Sequence, residues 1–402
     1  MTVSPGVDFP LSGYRVLDLS RILAGPFCTM ILGDQGADVI KVERPGTGDD
    51  TRTWGPPFAG GESAYYLCCN RNKRSMTVDL KNPGGAQLVR ELARASDVLV
   101  ENFTPGLMKR FGLDYQTLRE ENPGLVYCSI SAYGQDGPYR DRPGYDMVLS
   151  AVGGLMGITG ERDGNPCKVG VAITDVLTGV YASGAITAAL LWRERSGRGQ
   201  RIDCPLLDVQ IAALANIGSN YLVAGQEAAR WGTAHESIVP YQVFRTTDRP
   251  IAIAVANDKM WINFCKLIGK TEWIADPRFA SNPKRVENRE LLLPLIAEVM
   301  LRKSCDRWME LFVERAIPCG PVNDMEHLFS DPQVLHSGMI AETPHPTIGT
   351  LRLAGIPIKY SDTPGAVRLP PPLLGEHTDA VLTEILGYEP RRIEELRRQE
   401  AI

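Results

Sequence analysis

The aspartate at position 175 directly follows the apolar run VGVAIT and opens a stretch, DVLTGVYASGAITAALLW, that is apolar on nearly every helical face. An acid in that place is a good helix N-cap. The place also has chemical consequences, because first-turn amides and the positive end of the dipole favour an ionised carboxylate. An ionised, partly desolvated carboxylate can attack an activated acyl group. Asp175 is therefore read both as a cap and as a candidate nucleophile, and it is expected to be ionised. Four cations, Arg44, Lys81, Arg110 and Arg142, fall near predicted ends of strands or helices. Each alone is ordinary surface charge; together they could neutralise a polyphosphate if the fold made them converge.

Several other chemistries lack their residues. The turn Ala24-Gly25-Pro26 stands where a dinucleotide fold would carry G-x-G-x-x-G, and Pro26 removes an amide donor, so NAD binding by that route is disfavoured. Arg44 sits at the end of the second predicted strand, where an arginine suits the ribose phosphate of NADP or of coenzyme A equally. Nine cysteines include no C-x-x-C pair, and five histidines show no ligand spacing. Neither a metal site nor a disulfide framework is expected, and a reducing compartment is the matching expectation. There is no G-x-S-x-G elbow, Walker loop or kinase signature. With 48 acidic against 43 basic side chains the formal charge is −5, which excludes a strongly basic nucleic-acid binder. Apolar residues at 44% and charged ones at 23% match a globular chain.

The elements that must position these residues alternate. RVLDLS, DVIKVE, MTVDL, DVLVENF and LVYCSIS read as short apolar strands, with amphipathic helices between them. That alternation predicts an α/β fold with a parallel sheet covered on both faces. Ligands then bind beyond the carboxyl ends of the strands. Ser20, Glu43, Arg44, Asn102, Phe103 and residues 131–133 stand at those ends. The first domain is assigned to residues 1–200 and a smaller α+β domain to 225–325, opening with the hairpin VPYQVF–TTDR–IAIAVA. Residues 335–402 form a tail that ends in an amphipathic helix. The apolar run 176–192 is shorter than the ~20 residues a bilayer requires and is diluted by Thr178, Gly179, Ser183 and Gly184, so it reads as a core helix and no membrane partner is expected.

The run LSGYRVLDLSRILAGPFCTMILGDQGADVIKVERPGTGDDTR strongly resembles the opening of the class III coenzyme A-transferases. The likeness continues through NRNKRS, DVLVENFTPG, SISAYGQDGP, RPGYDMVLSAVGGLMGITG, VGVAITDVLTG, RWGTAHESIVPYQVF and PPLLGEHT, nearly the whole chain. The resemblance implies that the family nucleophile falls on Asp175 and forms an aspartyl-CoA intermediate. It places the coenzyme A contacts on Leu23, Ala24, Arg44, Val78, Lys81, Asn102, Phe103, Thr104, Arg110, Arg142 and Tyr145. The fold it implies has a Rossmann-like large domain that takes the C-terminal segment back, and two ring-like chains interlocked as a homodimer. The implied substrates are an acyl-CoA and a carboxylic acid, with no permanently bound cofactor. The segments GDDTRTWGPPF and RWGTAHESIVPYQ are closest to members that use succinyl-CoA and glutarate. A short dicarboxylate is accordingly the expected acceptor. Arg52, Arg71, Arg74, His235 and Tyr241 are candidates for its distal carboxylate, with His235 favoured. Only isolated Gly225 and Gly232 stand where formate- and oxalate-using members carry a glycine run, which counts against those acids. The α-methylacyl-CoA racemases of the family place a histidine base in a G-H-D step; here it is Gly144-Tyr145-Asp146. A tyrosine titrating near ~10 is a poor base at neutral pH. The racemase, a transferase for malate or another acid, an NADP oxidoreductase and a non-catalytic acyl-CoA binder are the rival readings. The expected compartment is the cytoplasm if the host is bacterial, or the mitochondrial matrix if a leader was removed.

Overall fold

The computed structural model describes residues 8–402. Strands β1 (Arg15–Asp18) and β2 (Asp38–Glu43) are followed by a small hairpin, β3 (Phe58–Ala59) with β4 (Glu62–Ser63). Then come β5 (Lys73–Thr77), β6 (Val98–Glu101), β7 (Val126–Ser131) and β8 (Arg201–Pro205). Apart from the hairpin these make one parallel sheet in the order β5-β2-β1-β6-β7-β8. This is the doubly wound order, which reverses direction between β1 and β6 and opens a crevice beyond their carboxyl ends. Four predicted strands of this sheet are present; the fifth, MTVDL, is displaced, since β5 begins at Lys73 and ends at Thr77, and β8 adds an edge without a predicted strand.

Side-chain alternation divides the sheet between two cores. On one face Leu17, Ile40, Met76 and Leu99 pack with Leu88, Leu92, Val381 and Leu396. The last two lie on the helices Thr378–Leu386 and Pro390–Arg398, so the C-terminal segment covers the same sheet that the N-terminal strands build. On the other face Val16, Val39, Val98 and Val126 pack with Cys28, Leu32, Ala182 and Ile186. The latter belong to the helices Ala24–Asp34 and Ile173–Ser196.

The helix Ile173–Ser196 is 24 residues long, longer than the run that the sequence suggested. Among the described residues it is the one helix long and apolar enough to cross a bilayer, with mean hydropathy 1.3 over its most apolar 18 residues. Half of that window is buried in the fold, which accounts for its apolarity as core packing. It crosses the helix Ala24–Asp34 closely. A Cβ on Gly179 would lie 2.8 Å from the Ala24 carbonyl oxygen, so only glycine admits this approach. Asp175, four residues earlier, shares that face and is brought over the chain that follows β1.

Two compact units are present. The first gathers residues up to Leu155, Lys168–Gln226 and Pro332–Ile402; the second comprises Met156–Cys167 and Glu227–Asp331. The sequence reading placed 156–167 in the large domain, because a short polar loop carries no periodicity that reveals where it packs. In the second unit β9 (Tyr241–Phe244), β10 (Ile251–Ala254) and β11 (Cys319–Pro321) pair antiparallel. Trp261, Phe264, Trp308 and Phe312 form its core. All nine cysteines are free.

Candidate active site

The crevice at the reversal point holds two adjoining cavities. One, of about 710 Å³, is lined by Arg44, Val78, Lys81 and Phe103, with Leu80 and Phe111 adding apolar surface. The other, of about 1020 Å³, is lined by Leu23, Ala24, Asn102, Phe103, Thr104, Arg142 and Tyr145, with Asp175 in its wall. Arg21 and Phe103 line both, so the cavities meet at this pair, where the guanidinium lies 5.4 Å from the ring centroid. An apolar cavity with cations at its edge suits an adenosine phosphate, and the second leads to a carboxylate. Ten of the eleven residues predicted to contact coenzyme A thus line one crevice. Arg110, at the end of the helix Leu107–Arg110, is exposed and does not line it. The Asn102 side chain is engaged by the backbone: its Oδ1 accepts the Arg21 N–H at 2.9 Å and its Nδ2 donates to the Arg21 carbonyl at 2.7 Å.

Asp175 is the third residue of its helix, and Ala172 occupies the N-cap position with no side-chain hydrogen bond. The capping expectation is therefore corrected. Asp146 supplies the missing acceptor from outside the helix: its Oδ1 accepts from Thr174 N at 2.8 Å and Asp175 N at 3.3 Å. Thr174 Oγ1 donates to Gln210 Oε1 at 2.6 Å and steadies the same turn. The expectation that the dipole holds Asp175 ionised is corrected as well. Its carboxyl is pushed up to about 7, first by burial and then by the neighbouring charge of Asp146. Two first-turn amides are already directed at Asp146, and among the described residues no donor reaches the Asp175 carboxylate. A carboxylate with so little solvation is more basic and more nucleophilic than one in water.

Three residues around Asp175 carry no sequence signal of that place; Glu101, which lines neither cavity, is a further buried acid. Arg21 has only the signal of standing beyond β1. Asp146 was weighed only as part of a base motif. Tyr65 lies on the helical turn Ala64–Leu67 that follows β4; burial first, then the charge of Asp175, raises its hydroxyl pKa. Glu101, at the end of β6, is pushed up to about 7 by burial while its carboxylate accepts the Phe103 N–H at 2.9 Å.

Three of the acceptor candidates are held in internal ion pairs. Arg52 grips Glu43 through two bonds of 2.7 and 2.8 Å and donates to Tyr66 Oη at 2.6 Å. Arg71 grips Asp34 at 2.9 and 2.7 Å, and Arg74 grips Asp38 at 2.9 and 2.7 Å. None of the three lines the Asp175 cavity. His235 and Tyr241 belong to the second unit, their rings 5.4 Å apart. His235 Nδ1 accepts the Ser237 N–H at 3.0 Å, which leaves Nε2 as the donor in the neutral ring. Tyr145, the residue in place of the racemase base, is exposed at 58% on the cavity rim.

A doubly wound sheet with a crevice at its reversal point and a buried carboxylate in the crevice wall defines an α/β protein built to bind a ligand beyond its strand ends. The chain matches the model of CoA-transferase family III over residues 11–378 and belongs to that family; it is a class III CoA-transferase. It is 49% identical over 387 residues to the human succinyl-CoA:glutarate CoA-transferase, covering 96% of this chain and 88% of that one. It is 45% identical to the succinate–glutarate CoA-transferase of Agrobacterium fabrum, covering 97% and 99%. A CAIB/BAIF family protein from Brucella suis superposes with a TM-score of 0.85 at 42% identity, over 94% of this chain and 100% of that one.

Proposed function

We propose that the enzyme moves coenzyme A from succinyl-CoA to glutarate through a covalent intermediate on Asp175. An Asp175 oxygen attacks the thioester carbonyl; the C–S bond breaks and the thiolate leaves a mixed anhydride. The thiolate then attacks the aspartyl carbonyl, its C–O bond breaks, and succinate departs from an aspartyl-CoA thioester. A glutarate oxygen attacks that thioester, displacing the thiolate and forming a second anhydride. The thiolate finally attacks the glutaryl carbonyl, giving glutaryl-CoA and the free Asp175 carboxylate. Protons and charge balance, and coenzyme A thioesters enter and leave as substrates without a resident cofactor.

One observation carries this reading: the Asp175 carboxylate, without a donor among the described residues, stands in the wall of a cavity that continues past Arg21 into a cation-edged apolar one. The names of the relatives above support the choice of acids. A homodimer, interlocked as the family resemblance implies, is part of the same proposal. It is supported by the bare apolar side chains Leu222 and Val223, at 83% and 86% exposure. The test is purified protein with succinyl-CoA and a panel of mono- and dicarboxylates, products resolved by chromatography. Glutaryl-CoA should form fastest; butyryl-CoA formed as fast would overturn the dicarboxylate assignment, and no transfer to any acid would overturn the reaction.

A further inference from the structure

Ile22 holds a positive φ of 72°. A β-branched residue in that region is strained. The strain has a visible holder. Both carboxylate oxygens of Asp49 accept the Ile22 N–H, at 3.2 and 3.1 Å. Asp49 is itself fixed, accepting from Thr51 N at 3.0 Å and Thr51 Oγ1 at 2.8 Å. Lys41 Nζ donates to Asp49 at 2.9 Å and to the Ser20 carbonyl at 3.0 Å. Both side chains of this ion pair are completely buried. From the opposite side Asn102 closes on the Arg21 peptide through the two bonds given above. The two successive peptide units 20–21 and 21–22 are thus clamped at both their C=O and N–H groups.

The clamped strip is the wall on which both cavities are built. Arg21 lines both, and Ile22, Leu23 and Ala24 continue along the Asp175 end. Ile22 and Leu23 pack in one cluster with Tyr65, Ala172 and Val176, the last being the residue after Asp175. An ion pair buried this completely contributes little net stability against an apolar replacement. Its geometry is what distinguishes it: one partner holds a strained residue in the wall facing Asp175.

We propose that Asp49, held by Lys41, is a positioning residue that keeps Ile22 in its left-handed turn and so sets the wall opposite Asp175. It touches no reacting atom. The assignment rests on the transferase reading for its kinetic arm alone. Asp49→Asn by itself leaves a buried ammonium unpaired, so the variant to use is the neutral pair Lys41→Met with Asp49→Asn. Lys41 and Asp49 also stand behind the cavity of Arg44 and Lys81, so the rate is read at saturating coenzyme ester: acyl-enzyme formation from succinyl-CoA, trapped with hydroxylamine, should slow at least tenfold in the neutral pair. Adding Ile22→Gly, which takes a φ of 72° without strain, should restore the rate at least threefold. A merely structural ion pair would give no rescue, since the glycine only removes packing. Exchange of the Ile22 amide hydrogen, which requires no substrate, should quicken in the neutral pair and reads the clamp whatever the true donor is. A neutral pair with unchanged acylation rate overturns the proposal. So does a rate loss that the glycine leaves uncorrected, or unchanged amide exchange.

Discussion

Asp146 Oδ1 accepts the amides of both Thr174 and Asp175, so one carboxylate caps the very turn from which the second projects into the crevice. The arrangement sets two effects against each other. The cap fixes where Asp175 points, while the capping charge, added to burial, makes Asp175 reluctant to ionise. A carboxylate held in this way is strongly basic once deprotonated and costs the fold something to keep.

The first consequence is a pH profile. With the Asp175 carboxyl at about 7, acylation should rise with pH through that region and level off above it. Asp146→Asn keeps an acceptor for the two amides and removes the charge. Burial is the larger cause of the shift, so the midpoint should move down without returning to the ordinary aspartate range. Single-turnover acylation from pH 5 to 9 reads it; a midpoint that rises in Asp146→Asn contradicts the electrostatic account.

Stability gives the second. The folded pKa of Asp175 is raised, so the stability it contributes is fully present below the unfolded pKa of about 4 and is lost as pH rises through about 7. Asp175→Asn mimics the protonated form. It should abolish transfer yet raise Tm at pH 8, by an amount worth up to about 4 kcal/mol, and raise it little at pH 4. Equal Tm gains at both pH values would detach the effect from ionisation.

How much of this was legible in advance depends on the range of each signal. The strands and their parallel order rest on apolar runs. The local signal of the cations is ordinary surface charge, and only the family resemblance gives Arg44, Lys81 and Arg142 one purpose. Asp175 stands out as an acid opening an apolar helix, and the same resemblance favours nucleophile over cap. The ion pairs of Arg52, Arg71 and Arg74 were not, since Asp34 and Asp38 lie 37 and 36 residues from their arginines. An arginine in a polar loop carries no mark of whether an internal carboxylate awaits it. The capping role of Asp146 was hidden likewise, because a cap donated from another helix has no local spacing.

The phosphate end supplies the third prediction. Arg44 and Lys81 line the apolar cavity and Arg110 does not. Arg44→Ala should raise KM for acyl-CoA about 10- to 100-fold with kcat little changed, as a charged contact of about 1.5–3 kcal/mol remote from the thioester would. Acyl-3′-dephospho-CoA should show most of that loss already in the wild type. Arg110→Ala should raise KM less than Arg44→Ala; the reverse ranking in the same assay would place the phosphate elsewhere.

Gly179 offers the last, because it isolates helix placement from chemistry. A Cβ there meets the Ala24 carbonyl oxygen at 2.8 Å and the Cys28 nitrogen at 3.1 Å, both backbone atoms that cannot swing aside. Gly179→Ala must therefore push the helix Ile173–Ser196 away from the helix Ala24–Asp34. Overpacking of this kind costs about 1–3 kcal/mol, partly offset by the better helix propensity of alanine. Asp175 rides on the displaced face, one turn away, so acylation should fall at least tenfold while the protein stays folded. Coenzyme binding through Arg44 and Lys81 should be spared, because neither residue sits on the displaced helix. Gly184→Ala is the control: nothing lies within 4 Å of the Cβ it adds, so it should leave the rate near the wild type and raise Tm through helix propensity alone. Equal effects of the two alanines on acylation would show that the close crossing at Gly179 does not position Asp175.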